Sequence, residues 1–170
     1  TRYFLDDGLG AAIALHEFYR NSDIYVMANY AQTVNVIGCI KTTKTHAEFE
    51  STGLVLKLYR ERYGREAKGD GWYSNVPKPL DMAAALTADQ RALTFSVVNP
   101  TSEKQDLTLA LDGATFGNRA QQWVITGSER RSYNNPGEPR AIDITSSPVP
   151  ASGKLSVPPL SITLVSYDLK

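Results

Sequence analysis

The 170-residue sequence predicts a mixed fold, an incomplete α/β unit over the first 64 residues followed by an antiparallel β-sandwich. Apolar residues recur at helical spacing up to about residue 64; beyond about residue 80 they fall in short alternating runs broken by Pro, Gly, Asn and Asp. The first half also holds a single buried-strand pattern. One strand cannot satisfy its own backbone groups, so partner strands are expected upstream.

Each element follows from its pattern. Over residues 6–20, Leu5, Leu9, Ala12, Ile13 and Tyr19 line one side of a helix, and Ala11, Leu15 and Phe18 widen that face beyond a narrow stripe. Asn21 and Ser22 interrupt it, and residues 23–28 (DIYVMA) read as a short buried strand. Thr45 and Glu48 have the spacing of a capping box at the start of a second helix. Phe49, Leu56, Tyr59 and Tyr63 continue its face, and Gly64 is placed to end it in a left-handed cap. Residues 65–79, with Gly69, Gly71, Pro77 and Pro79, read as a linker. Seven strands follow, over 80–86, 92–99, 106–111, 121–126, 141–145, 155–157 and 161–169. Leu93, Phe95 and Val97 alternate with Thr94, Ser96 and Val98, the period of a strand with one buried face. Residues 87–90 form a hairpin turn, and the regular turn signals suggest two packed antiparallel sheets.

Composition narrows the function. Eighteen basic residues balance eighteen acidic ones, so no net field draws nucleic acid or an anionic membrane, and neither is expected as a partner. Cys39, the sole cysteine, lies in an apolar run and reads as a buried small hydrophobe. No stretch reaches the roughly 18 apolar residues of a membrane span. The chain opens on Thr1, so sequence upstream of it is expected, and cytoplasmic and secreted settings both stay open.

Self-contained chemistry is scarce. There is no phosphate loop, nucleophile elbow or metal-ligand spacing, and neither a metal nor a cofactor is expected. His16, in an apolar helix, reads as a hydrogen-bonded structural histidine, and His46 as a solvated residue at a helix start. Asp6 and Asp7 suit the positive end of the first helix. Lys57, Arg60, Glu61, Arg62 and Arg65 read as the wet face and end of the second. Trp72, Tyr73, Trp123, Tyr133 and Tyr167 could stack on sugar rings, though packing is the plainer reading.

The stretch from Met27 to Ile37, MANYAQTVNVI, resembles the MANxAQxVNVI segment near the end of the catalytic barrel of family 51 glycoside hydrolases, mainly α-L-arabinofuranosidases. Ser22-Asp23 before it is similar to that family's H(A/S/T)D, with Asn21 in place of the histidine. Residues 79–85, 93–100, 125–127, 133–137 and 157–161 resemble its C-terminal domain, in family order. The resemblance implies a (β/α)8 TIM barrel followed by a jelly-roll-like β-sandwich. Residues 1–64 would then be the last part of the barrel, 65–79 the linker and 80–170 the sandwich. It also implies that Gln32, with Asn29 beside it, contacts the substrate, while Asn35 stays structural.

Retaining hydrolysis in that family uses two glutamates on earlier barrel strands. None of Glu17, Glu48, Glu50, Glu61 or Glu66 stands in their motif contexts, so no catalytic residue is expected here and the isolated chain is expected to be inactive. The partners implied are an arabinose-containing polysaccharide or oligosaccharide such as arabinoxylan or arabinan, the upstream barrel portion of the same protein, and a further copy in a homo-oligomer. The alternatives are an endo-glucanase or xylanase of the same family, or a non-catalytic carbohydrate-binding or structural β-sandwich.

Overall fold

The computed structural model describes residues 2–64 and 78–170. In chain order the elements are α1 (Leu5–Arg20), β1 (Ile40–Thr42), β2 (Ala47–Phe49), α2 (Ser51–Arg62), β3 (Asp81–Leu86), β4 (Ala92–Asn99), β5 (Gln105–Thr108), β6 (Phe116–Thr126), β7 (Asp143–Val149), β8 (Lys154–Val157) and β9 (Ser161–Leu169). Five strands form one antiparallel sheet in the order β3-β4-β9-β6-β7. The β5-β8 ribbon packs on one of its faces, consistent with a β-sandwich, and the two helices pack on the other.

The face alternation read from β4 is real, but both of its faces are buried. Phe95 and Val97 join Leu155, Val157, Val165 and Tyr167 on the ribbon side. Val98 joins Leu5, Leu9, Ala12, Leu54, Val55 and Leu58 on the helix side. A central strand covered on both faces is buried at nearly every residue, which is why even Thr94 and Ser96 are enclosed.

Helix α1 seats itself by the stripe Leu5, Leu9, Ala12 and His16, spaced four, three and four. Its N-terminus is acidic as expected: the Asp7 carboxylate accepts from the Phe4 amide at 2.7 Å, and Asp6 pairs with Arg130 at 2.8 Å. Helix α2 buries Leu54, Val55, Leu58 and Tyr59, and leaves Lys57, Arg60, Glu61 and Arg62 exposed. Tyr19 stacks on Tyr63 with 4.4 Å between ring centroids.

Several expectations are corrected. Residues 23–28 form no strand: they run as exposed turn and coil, with Val26 94% and Met27 73% exposed. A strand needs a neighbour for its backbone groups, and no described segment lies alongside. Thr45 is not a helix cap, because residues 43–46 turn the β1–β2 hairpin, where the Thr43 amide donates to His46 O at 2.8 Å. His46 is exposed in that turn, and Glu48 pairs with Arg140 at 2.9 Å. Helix α2 starts later, with Glu50 at its N-cap, and Leu56 lies off its main buried face.

Gly64 makes no left-handed cap. The chain leaves α2 extended at Tyr63, and the Gly64 amide donates to Thr94 Oγ1 at 2.8 Å. Gly64 passes so close to Leu86 O that a Cβ would stand 2.4 Å from it. Glycine serves close approach there. Strand β6 starts earlier than read and bulges between Phe116 and Ala120, β5 is shorter, and β7 lies further along. Strand β4 and the 87–90 turn match their reading. Most of the linker, residues 65–77, lies outside the described residues.

Candidate functional site

Asn29 and Gln32 sit on the segment that joins α1 to β1, and both are exposed. Among the described residues neither side chain makes a hydrogen bond, so the loop backbone does not consume Gln32. Gln32 holds a left-handed backbone (φ 57°), as do Asn35 (55°) and Val36 (39°). Such a run of non-glycine residues persists only where surrounding contacts fix it.

Those contacts begin one residue past Gln32. The Ile40 amide donates to Thr33 O at 3.0 Å, and the Asn35 amide donates to Ile40 O at 2.8 Å. The Asn35 side chain closes the loop in both directions: Oδ1 accepts from the Thr42 amide at 2.9 Å, and Nδ2 donates to Thr42 Oγ1 at 2.9 Å. Lys41 Nζ donates to Val36 O and Gly38 O, and the Tyr3 hydroxyl donates to Ile37 O at 2.8 Å. A Cβ on Gly38 would lie 2.6 Å from Val34 N, so only glycine fits this close crossing. Tyr30 meets Tyr3 edge-on and donates to Thr52 Oγ1 at 3.3 Å.

The large exposed hydrophobics among the described residues all belong to this segment: Ile24, Tyr25, Val26, Met27, Tyr30, Val34, Val36 and Ile37. Single exposed apolar residues are ordinary, but eight within residues 24–37 are a concentration well above that background.

His16 is fully buried and uses both ring nitrogens, Nδ1 at 2.6 Å from Asp81 Oδ1 and Nε2 at 2.6 Å from the Tyr59 hydroxyl. Burial is the largest influence on His16 and lowers its pKa, outweighing the attraction of Asp81. Burial pulls Asp81 upward, but the hydrogen bonds from His16 and Arg20 prevail and hold it below the usual carboxylate range. A neutral ring beside an ionised carboxylate fixes the tautomer: Nδ1–H donates to Asp81, and Nε2 accepts from Tyr59. Tyr59 in turn accepts from the Ser96 hydroxyl at 2.5 Å. The row Asp81, His16, Tyr59, Ser96 resembles a proton relay, yet His16, Tyr59 and Ser96 are buried, only Asp81 reaches solvent, and the row joins α1, α2, β3 and β4. It is a structural clasp. The sequence pointed to a hydrogen-bonded His16 but gave no sign of partners 43 and 65 residues away.

The glutamates have other occupations. Glu17 pairs with Arg20 and Glu48 with Arg140, and the buried Glu50 carboxylate accepts from the Tyr3 amide at 2.7 Å. Burial pushes the Glu50 pKa up. Glu66 lies outside the described residues, as do Trp72 and Tyr73. The described aromatics of the β half serve packing: Arg2 covers the Tyr133 ring at 4.0 Å, Arg62 lies over Trp123, and Tyr167 is buried. A cleft of about 200 Å³ opens beside Trp123, lined by Lys57, Glu61, Arg62 and Ser146 among others. Cys39 is buried, with burial raising its thiol pKa. Among the described residues no helix is long and apolar enough to cross a membrane, and no group of three or more His, Cys, Asp or Glu could hold a metal ion.

Comparison with known proteins agrees in sequence and in shape. The family described as the alpha-L-arabinofuranosidase C-terminal domain matches residues 1–161. A probable alpha-L-arabinofuranosidase C of Aspergillus fumigatus is 30% identical over 97% of this chain, and one of Aspergillus flavus is 29% identical over 97%. The chain spans 35% of the length of each. Among solved structures, an alpha-L-arabinofuranosidase from Thermotoga maritima, determined as an arabinose complex, shares the fold over 99% of this chain and 39% of its own. The TM-score is 0.85 at 22% identity. A thermostable family 51 enzyme from Thermotoga petrophila covers 98% of this chain and 39% of its own, with a TM-score of 0.83 at 24% identity.

Proposed function

The chain belongs to the α-L-arabinofuranosidase C-terminal domain family, and from that premise we propose that the whole protein is a retaining glycosidase that removes terminal α-L-arabinofuranosyl residues from arabinoxylan, arabinan or their oligosaccharides. The observation that carries this reading is the exposed 24–37 segment, in which a run of apolar side chains accompanies two uncommitted amides, Asn29 and Gln32.

In this reading residues 1–64 complete a (β/α)8 barrel, 65–79 link, and 80–170 form the sandwich. The upstream portion of the barrel supplies strands beside residues 23–28, which then pair and lose their exposure. Active sites of such barrels lie at the C-terminal ends of the strands, which places Asn29 and Gln32 at the mouth. A primary amide both donates and accepts, so Gln32 can bridge vicinal sugar hydroxyls. The reaction itself needs two carboxyl groups roughly 5 Å apart, one attacking the anomeric carbon and one protonating the leaving oxygen. Both belong to the upstream portion, so this chain binds and orients sugar without performing the covalent steps.

The test is Gln32→Ala in the full-length protein, assayed on 4-nitrophenyl α-L-arabinofuranoside. Loss of one buried hydrogen-bond partner to the sugar costs about 1–3 kcal/mol, a fall in kcat/KM of about five- to 150-fold. Unchanged kcat/KM would remove Gln32 from the site.

A further inference from the structure

We infer that Asn35 is a positioning residue for the sugar site, holding Gln32 in place through the base of its loop. This rests on the reading of Gln32 as a sugar contact.

Gln32 has no side-chain hydrogen bond among the described residues, so its aim is set by its backbone, and that backbone is left-handed. A left-handed glutamine needs the chain on either side to be tied down. On the N-terminal side residues 23–28 run exposed, with no strand pairing, and the nearest tie is the Tyr30 side chain, through its hydroxyl on Thr52 Oγ1 and its ring on Tyr3. On the C-terminal side Thr33 O accepts from the Ile40 amide at 3.0 Å, and the side-chain tie is Asn35, whose amide group grips both the backbone N and the hydroxyl of Thr42 at 2.9 Å. Thr42 lies in β1, which pairs in register with β2, and the β2 end leads straight into α2. The side chain of Asn35 therefore adds a two-point fastening of the loop to a strand that is paired in the β1–β2 hairpin.

Its residue type fits both demands. Asparagine tolerates the left-handed backbone better than most side chains, and it offers one acceptor and one donor in a plane. The Asn35 amide N–H adds a third tie at Ile40 O, and its carbonyl accepts from Gly38. Four bonds converge on one residue three positions beyond Gln32. A shift of about 1 Å in a positioning group can cost up to about a hundredfold in rate, so loosening this tie is expected to read out in kcat rather than in folding alone.

The experiment uses the full-length protein and 4-nitrophenyl α-L-arabinofuranoside, with the folded fraction followed by circular dichroism. Asn35→Ala is expected to lower kcat per folded molecule about tenfold, with a smaller change in KM. Asn35→Asp keeps an acceptor for the Thr42 amide and accepts from the Thr42 hydroxyl, and is expected to restore kcat to within about threefold. Thr42→Ala removes half of the grip from the other side and is expected to lower kcat several-fold; it decides the matter should Asn35→Ala not fold. Wild-type kcat in Asn35→Ala or Thr42→Ala, beside an impaired Gln32→Ala, would overturn the positioning role alone. Wild-type kcat in Gln32→Ala would overturn the sugar-site reading, and this inference with it.

Discussion

Single residues show how burial decides between chemistry and structure. His16, Asp81, Tyr59 and Ser96 have the parts of a relay, but His16 and Ser96 are wholly buried and the row joins helices to sheet. Its pH response follows from the shifts. His16 has a folded-state pKa below its ordinary value of 6.5, so the unfolded chain binds the proton first as pH falls. The clasp's contribution is therefore complete above about pH 6.5 and declines below it, by up to about 1.4 kcal/mol per pH unit until the folded pKa is reached. Asp81, also lowered, adds a second loss below its ordinary 3.8. Urea unfolding at pH 7 and pH 5 should show the drop in wild type and a much flatter profile in His16→Gln. Parallel profiles would mean that His16 does not titrate in this window.

Elements are placed by close approaches as much as by periodicity. Gly10 and Gly53 are both helical, and intrinsic propensity alone favours alanine over glycine at each by about 1 kcal/mol. At Gly10 a new Cβ meets nothing within 4 Å, so Gly10→Ala should stabilise by about 0.5–1 kcal/mol. At Gly53 it would stand 2.5 Å from Cys39 O and 2.8 Å from the Phe49 ring, where α2 crosses the hairpin. Gly53→Ala should therefore destabilise by about 1–3 kcal/mol despite its better propensity. Chemical denaturation of the two variants checks the pair, and the same sign for both would defeat the argument. Asn134 does comparable work without strain: its side chain accepts from the Ala141 and Ile142 amides and donates to Phe49 O and Ile142 O, tying the hairpin to the entry of β7.

At the scale of the molecule, two apolar clusters are closed and one face is open. Helices, sheet and ribbon bury both sides of β4 and β9, while residues 24–37 present apolar side chains to solvent. The 18.7 kDa chain by itself is expected to bind a hydrophobic dye and to release no nitrophenol from the arabinofuranoside, whereas the full-length protein is expected to release it and to bind little dye. Turnover by the 18.7 kDa chain would place the catalytic carboxylates within it and overturn the division of labour proposed above.

Periodicity was enough to read α1, β3, β4 and β9, because in each the pattern of burial repeats within a few residues, and turn residues marked 87–90. The MANYAQTVNVI segment, read by resemblance, led to the family and to Gln32 and Asn29 as candidate site residues. Thr45 and Glu48 had the spacing of a cap, but tertiary packing placed them in a hairpin, and Gly64 serves close approach instead of a left-handed turn. Residues 23–28 carry a strand pattern that stays unpaired, since a strand is completed by its neighbour. The partners of His16 and the grip of Asn35 on Thr42 were likewise decided only by tertiary structure. Local sequence specifies which faces are apolar; which distant groups meet across them depends on how the layers close.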